Sequence, residues 1–137
     1  MKTVALSVFV LLLAAGCADR RPAGSGDRAG EAPPAVRRIS AGEARRMMSE
    51  PSGFKLLDVR TPREFAERRI EGAVLIPYRE IASRAGELPR DRATVLLVYC
   101  RSGRRSAVAA SALARLGFAN VYDFGGIADW PYGTVGD

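Results

Sequence analysis

The segment Thr94-Val95-Leu96-Leu97-Val98-Tyr99 is apolar at nearly every position and rich in β-branched residues. That pattern suits a strand covered on both faces rather than one half open to water. It runs into Cys100, then a loop over Arg101–Arg105, then Ser106–Leu116. Alanine, leucine and arginine favour helix in that last stretch, and Gly117 suits its C-cap. A doubly covered strand that leads through a short loop into a helix is one half of a parallel crossover unit. Such a strand needs parallel neighbours beside it and helices above and below.

The remaining elements fit that frame. Ser40 followed by Glu43 is a capping box and predicts a helix to about Ser49, ended by Pro51-Ser52-Gly53. Phe54–Val59 reads as a buried strand. Thr61-Pro62-Arg63-Glu64 is a second capping box with proline at the first helical position, and predicts a helix over Pro62–Arg68. Ala73–Ile76 reads as a strand closed by Pro77, Arg79–Ala85 as a helix and Asn120–Asp123 as a strand. Gly125-Gly126 reads as a turn, and Ile127–Trp130 as a short helix before Pro131. Strand and helix alternate throughout. The expectation is one α/β domain with a largely parallel central sheet and helices on both faces, which suits a chain of 137 residues.

The N-terminus reads as an address. Met1-Lys2-Thr3 is a positive start, and Val4–Ala15 is almost wholly apolar but too short for a bilayer span, which takes roughly 20 residues. Leu13-Ala14-Ala15-Gly16-Cys17 resembles a bacterial lipobox, although such boxes more often have leucine where Ala14 stands. On that reading residues 1–16 are removed and Cys17 is lipidated, with more than one acyl chain giving a stable membrane anchor. An ordinary cleaved signal with an incidental cysteine is the alternative. The protein is then exported to a bacterial cell envelope. Ala18 after the cysteine, rather than aspartate, resembles outer-membrane sorting facing the periplasm in a Gram-negative cell. Residues 17–35 are rich in glycine and proline, without apolar periodicity, and read as a flexible tether reaching roughly 20–25 Å. The folded domain is expected over 36–132, with 133–137 as a tail.

Composition narrows the chemistry. The chain has no histidine and only two cysteines. That excludes a Ser-His-Asp or Cys-His pair within the chain and argues against zinc or any other metal site. Net charge is +6 and is almost all arginine, lysine occurring only at Lys2 and Lys55. No basic run is interleaved with aromatics, which argues against nucleic acid as a partner. What remains is chemistry run by a lone cysteine, a carboxylate or the backbone, with no cofactor required.

Cys100 is the candidate. Ligands of open α/β sheets bind beyond the carboxyl ends of the strands. A strand–loop–helix turn aims backbone N–H groups and a helix N-terminus at one spot, which favours an anion and lowers a thiol's pKa. Arg101, Arg104 and Arg105 push the same way, and Ser102 and Gly103 let the backbone curl around the sulfur. The plain alternative is a small buried hydrophobe at a strand end.

Several motifs in order resemble the rhodanese family in its single-domain form. Leu56-Leu57-Asp58-Val59-Arg60 with Pro62, Glu64 and Phe65 is similar to the family's first signature. Ile70-Glu71-Gly72-Ala73 with Ile76-Pro77 is similar to the second, Val98-Tyr99-Cys100-Arg101-Ser102-Gly103-Arg104-Arg105-Ser106 to the active-site loop, and Leu116-Gly117-Phe118, Val121, Gly125-Gly126 and Trp130 to the closing segment. Arg69 stands where the family usually has histidine, and Glu71 where it usually has proline. The resemblance implies a rhodanese-like fold and sulfurtransferase chemistry. Cys100 would take the outer sulfur of thiosulfate or a related donor, hold it as a persulfide, and pass it to cyanide or a thiol, including a thiol on a protein partner. Loop N–H groups would hold the persulfide, and side chains such as Arg101 and Arg105 the donor's oxygens.

Asp58 and Arg60 have two readings. They orient the loop, for example through Asp58 and a loop arginine, or they form a buried structural ion pair or helix cap. Trp130 reads as core packing or a lid. Among rival functions, a cysteine phosphatase or arsenate reductase uses Cys-x5-Arg, whereas here Ser106 fills that arginine's place and Arg105 comes one residue early. A non-catalytic rhodanese-like binding or sensory module is the rival of a different class, although Cys100 and its loop are complete.

Overall fold

The computed structural model describes residues 35–137. The signal-like segment, Cys17 and the tether to residue 34 lie outside the described residues. Five strands form one sheet in the order β1-β5-β4-β2-β3. They are β1 (Val36–Arg38), β2 (Phe54–Asp58), β3 (Val74–Leu75), β4 (Val95–Cys100) and β5 (Val121–Gly126), and every pairing is parallel. Among the described residues three α-helices follow β1, β2 and β4: α1 (Ala41–Met48), α2 (Pro62–Glu67) and α3 (Arg104–Arg115). This is the α/β domain that the alternating pattern predicts.

β4 sits at the centre and its side chains alternate between two cores. Leu96, Val98 and Cys100 face α3, packing with Ala109, Ala110, Leu113, Ile76 and Ile81. Leu97 and Tyr99 face the other side, packing with Ala44 of α1, Phe124, Ile127 and Trp130. Each fully buried leucine or valine contributes about 1.5–3 kcal/mol to folding, so β4 and its two layers anchor everything at its carboxyl end. Trp130 belongs to this packing: its ring centroid lies 5.5 Å from that of Phe124, and its Nε1 donates to the Gly133 carbonyl at 3.0 Å.

Both capping boxes form. The Ser40 and Thr61 hydroxyls accept from the backbone N–H of Glu43 and Glu64, whose carboxylates accept from the cap backbones in return. Elsewhere the boundaries differ from expectation. The Val36–Arg38 lead-in is a strand, too short and polar to stand out, and pairs with β5. Ala73–Ile76 shrinks to Val74–Leu75. Arg79–Ala85 is a series of turns ending in a 3-10 turn at Ala85–Glu87, because Pro77 and Gly86 leave too few residues to propagate a helix. β4 includes Cys100 as its last residue. α3 begins at Arg104 rather than Ser106, since Gly103 takes a left-handed φ of 105° and turns the chain early. Gly125-Gly126 is not a turn but the end of β5. Residues 133–137, set apart as a tail by sequence, lie along α2: Arg69 and Val135 exchange both backbone hydrogen bonds at 2.8 Å, and the Asp137 N–H donates to the Ala66 carbonyl.

Candidate active site

The carboxyl end of β4 delivers Cys100 to a tight fold of backbone. The pairing of β4 with β5 slips between Val98 and Cys100, which brings Cys100 opposite Gly126. Only glycine fits there: a Cβ on Gly126 would clash with the Arg101 carbonyl oxygen. The loop proper is three residues, Arg101-Ser102-Gly103. The Ala128 N–H pins its first carbonyl at 3.3 Å, and the Gly103 N–H donates to the Cys100 sulfur at 3.0 Å.

Cys100 is 1% exposed. Burial pushes its thiol up and is the largest single influence. The backbone and hydroxyl of Ser106 and the N–H groups of Gly103 and Ser102 together outweigh it, so the thiol lies below its ordinary value. The N-terminus of the 12-residue α3 points the same way. The site therefore favours a sulfur anion, held largely by backbone.

The arginines divide. Arg105, with Arg104, lies in the first turn of α3 rather than in a loop. Its two terminal nitrogens each donate to one oxygen of Glu64 at 2.8 Å, a bidentate pair joining α3 to α2. Arg101 and Arg104 are exposed, and among the described residues neither has an acidic partner within ion-pair distance. Arg101 lines a hollow of about 250 Å³ with Arg60, Glu64, Glu67, Arg68 and Ile127. A neighbouring hollow of about 280 Å³ lies between Arg60, Tyr78, Arg79 and Arg105. Ser102 is exposed at the loop crest, and Gly103 is buried beneath it. Among the described residues no cluster of acidic side chains and cysteine is placed to hold a metal ion.

Asp58 does not reach a loop arginine. Its carboxylate accepts from Arg60 Nε at 2.9 Å and from Arg60 Nη2 at 2.6 Å, and from the Arg60 backbone N–H at 3.0 Å. Arg60 Nη2 also donates to the Arg68 carbonyl. Both side chains are buried, so this is an internal ion pair at the end of β2 rather than a brace on the loop.

Sequence reasoning missed two acids at the site. Glu64 is legible as a helix cap and as part of the first signature but not as a partner of Arg105, because that task depends on a residue 41 positions away. Asp123 carried no signal at all. It is buried on β5 and accepts from the Ser106 hydroxyl at 2.7 Å and from the Gly125 N–H at 2.9 Å.

Glu64 supports a test of the α2–α3 clasp. The Arg105 guanidinium, and after it the Thr61 cap, hold its carboxyl down to about 2 against an ordinary 4.5, while burial opposes them. A carboxyl lowered by folding stabilises fully above its unfolded value and loses that contribution as pH falls from 4.5 toward 2. Glu64→Gln is expected to cost about 1–2 kcal/mol at pH 7 and to flatten the stability profile below pH 4.5, read by chemical denaturation from pH 7 to pH 2.5. An unchanged acid limb would show that the pair contributes nothing.

A buried thiol cradled by N–H groups at the carboxyl edge of a parallel sheet, opposite a glycine that nothing larger can replace, defines a domain built to keep a cysteine anion. The model of the rhodanese-like domain family matches residues 40–131, and the chain belongs to that family. The chain is 35% identical over 96 residues to a sulfurtransferase of Allochromatium vinosum, covering 69% of this chain and 88% of that protein. It is 33% identical over 73 residues to thiosulfate sulfurtransferase PspE of Escherichia coli, covering 53% and 70%. Among solved structures it resembles a rhodanese-like domain protein from Staphylococcus aureus, with TM-score 0.66, 26% identity and coverage of 74% of this chain and 98% of that one. It also resembles an E. coli rhodanese solved with anions, with TM-score 0.58, 29% identity and coverage of 62% and 100%.

Proposed function

We propose that this domain is a sulfurtransferase that moves a sulfane sulfur from thiosulfate or a related donor to a thiol, or to cyanide in an assay, through a persulfide on Cys100. The observation that carries the reading is the Gly103 N–H placed 3.0 Å from a sulfur whose ionisation the surrounding hydrogen bonds favour. Membership of the rhodanese-like family and relatives named as sulfurtransferases support it.

The Cys100 thiolate attacks the outer sulfur of thiosulfate. A sulfur–sulfur bond forms to Cys100, the donor's own sulfur–sulfur bond breaks, and sulfite leaves with the electron pair. Exposed Arg101 and Arg104 supply charge for the donor's oxygens. Arg105 is committed to Glu64 and serves mainly to set the helix against the site. The acceptor thiolate then attacks the outer sulfur, its new bond forms, and the Cys100–sulfur bond breaks with the pair returning to Cys100. The intact mass of the protein after incubation with thiosulfate, without reductant, tests this: a gain of one sulfur atom, removed by cyanide, is expected. No gain on folded, reduced protein would leave a binding module as the better reading.

The reading extends to the cell: the domain works in the envelope of a bacterium, anchored through lipid on Cys17. Cys17→Ala is expected to move the protein from the membrane to the soluble fraction of an expressing cell. An unchanged distribution would remove the anchor from the reading.

A further inference from the structure

Asp123 is a buried carboxylate that the sulfur-transfer steps above do not use. It is 2% exposed, Ser106 is fully buried, and Ser106 stands between it and the Cys100 sulfur. The Ser106 oxygen stands 2.7 Å from Asp123 Oδ1, 3.0 Å from the Gly103 carbonyl, 3.4 Å from the Gly125 carbonyl and 3.7 Å from the Cys100 sulfur. A serine hydroxyl has one proton for these acceptors. The shortest contact is also the only one to a carboxylate, which makes it the strongest. With its proton on Asp123, Ser106 presents a lone pair to the sulfur and accepts the Cys100 S–H. The resting thiol is therefore the head of a one-way chain, Cys100 to Ser106 to Asp123.

We propose that Asp123, acting through Ser106, is the acceptor of the Cys100 thiol proton. Ahead of the attack, the thiol proton passes to the Ser106 oxygen and the Ser106 proton passes to Asp123 Oδ1, which leaves the thiolate that the transfer step uses. The chain then points the other way: a neutral Asp123 donates to Ser106, and Ser106 donates to the sulfur anion. The pair carries one negative charge before and after, so no second charge is buried. When the acceptor takes the outer sulfur, the proton returns along the same path to Cys100. The function read for the domain supplies the reaction that the relay serves.

The other charged groups around the pair are fixed. Arg38 of β1 lies 3.6 Å from Asp123 Oδ2, and its exposed side chain covers Gly103. Arg105 of α3 faces Cys100 from within its pair with Glu64 of α2. Asp58 and Arg60 are paired at the end of β2, and the side chains of Arg101, in the loop, and Arg104, at the start of α3, are exposed. The arginines stay charged at working pH, and Glu64, at about 2, is ionised throughout it.

Asp123→Asn tests the relay, since asparagine keeps an acceptor for Ser106 and Gly125 but cannot take a proton. The readout is Cys100 alkylation by iodoacetamide in the full-length protein, which needs no sulfur transfer, followed alongside single-turnover persulfide formation. The relay predicts that alkylation at pH 6 falls about 10–100-fold in the variant and returns to within about twofold of wild type at pH 9.5, where hydroxide strips the thiol directly. If Asp123 were only a neighbouring charge, its removal would ease thiolate formation and alkylation at pH 6 would rise. If it were only a structural strut, the loss would be equal at both pH values. Either result overturns the relay. Should the variant not fold, the wild type decides: alkylation slowed in D2O at pH 6 but not at pH 9.5 supports the relay, and no isotope effect at either pH overturns it. A wild type that alkylates with the relay's profile yet gains no sulfur from thiosulfate would overturn the sulfurtransferase reading alone.

Discussion

Cys100→Ser is expected to abolish sulfur transfer while leaving the domain folded. The hydroxyl is close in size to the thiol, and the Gly103 N–H and Ser106 hydroxyl beside the sulfur give it partners in a buried place. The cost is a small loss of apolar packing against Ala109, Ala110 and Leu113, about 1 kcal/mol. The chemistry is another matter. A hydroxyl is not ionised near neutral pH, and oxygen does not hold a sulfane sulfur, so no covalent intermediate forms. Thiosulfate-treated variant should show no mass gain, and cyanide-dependent turnover should drop at least about 10³-fold, to background. A thermal midpoint close to wild type completes the expected result. Transfer that survives the substitution would end the persulfide mechanism.

Asp58→Asn is expected to cause the largest loss of stability. Asparagine keeps the shape of the side chain but leaves the buried Arg60 guanidinium without a counter-charge. Breaking a buried pair in that way costs about 3–5 kcal/mol. For a domain of this size that lowers the thermal midpoint by roughly 15–25 °C. Because Asp58 bonds Arg60 and not the loop, sulfur transfer per folded molecule, measured well below the transition, should stay within about threefold of wild type. A variant that melts normally but fails to transfer sulfur would restore Asp58 as a brace for the loop.

The parts of the molecule that sequence makes legible are the parts that local chemistry decides. Both capping boxes form because each needs only residues three apart. β4 reads correctly because burial on two faces leaves no polar position. The last turn of the site is harder. Gly126 reads as half of a turn, yet it is extended backbone, and its glycine identity answers to the Arg101 carbonyl pressed against it from another element. Glu64 and Asp123 were invisible as site residues for the same reason. Their partners, Arg105 and Ser106, are brought to them by the sheet rather than by the chain. The helix starts two residues before the pattern predicts, because Gly103 turns left-handed with its N–H on the Cys100 sulfur, a contact that no run of residue types announces.

Cys100 belongs to the central strand itself, flanked by β2 and β5 and packed from α3. A sulfur buried on the central strand cannot swing out on an arm, as a carrier on a mobile loop or tail does. On the proposed persulfide mechanism, delivery would therefore fall to the acceptor, whose thiol would have to protrude far enough to meet a cargo that stays at its berth. A cysteine recessed in another folded surface is a poor recipient, whereas a small thiol or one at the tip of an extended chain is a good one.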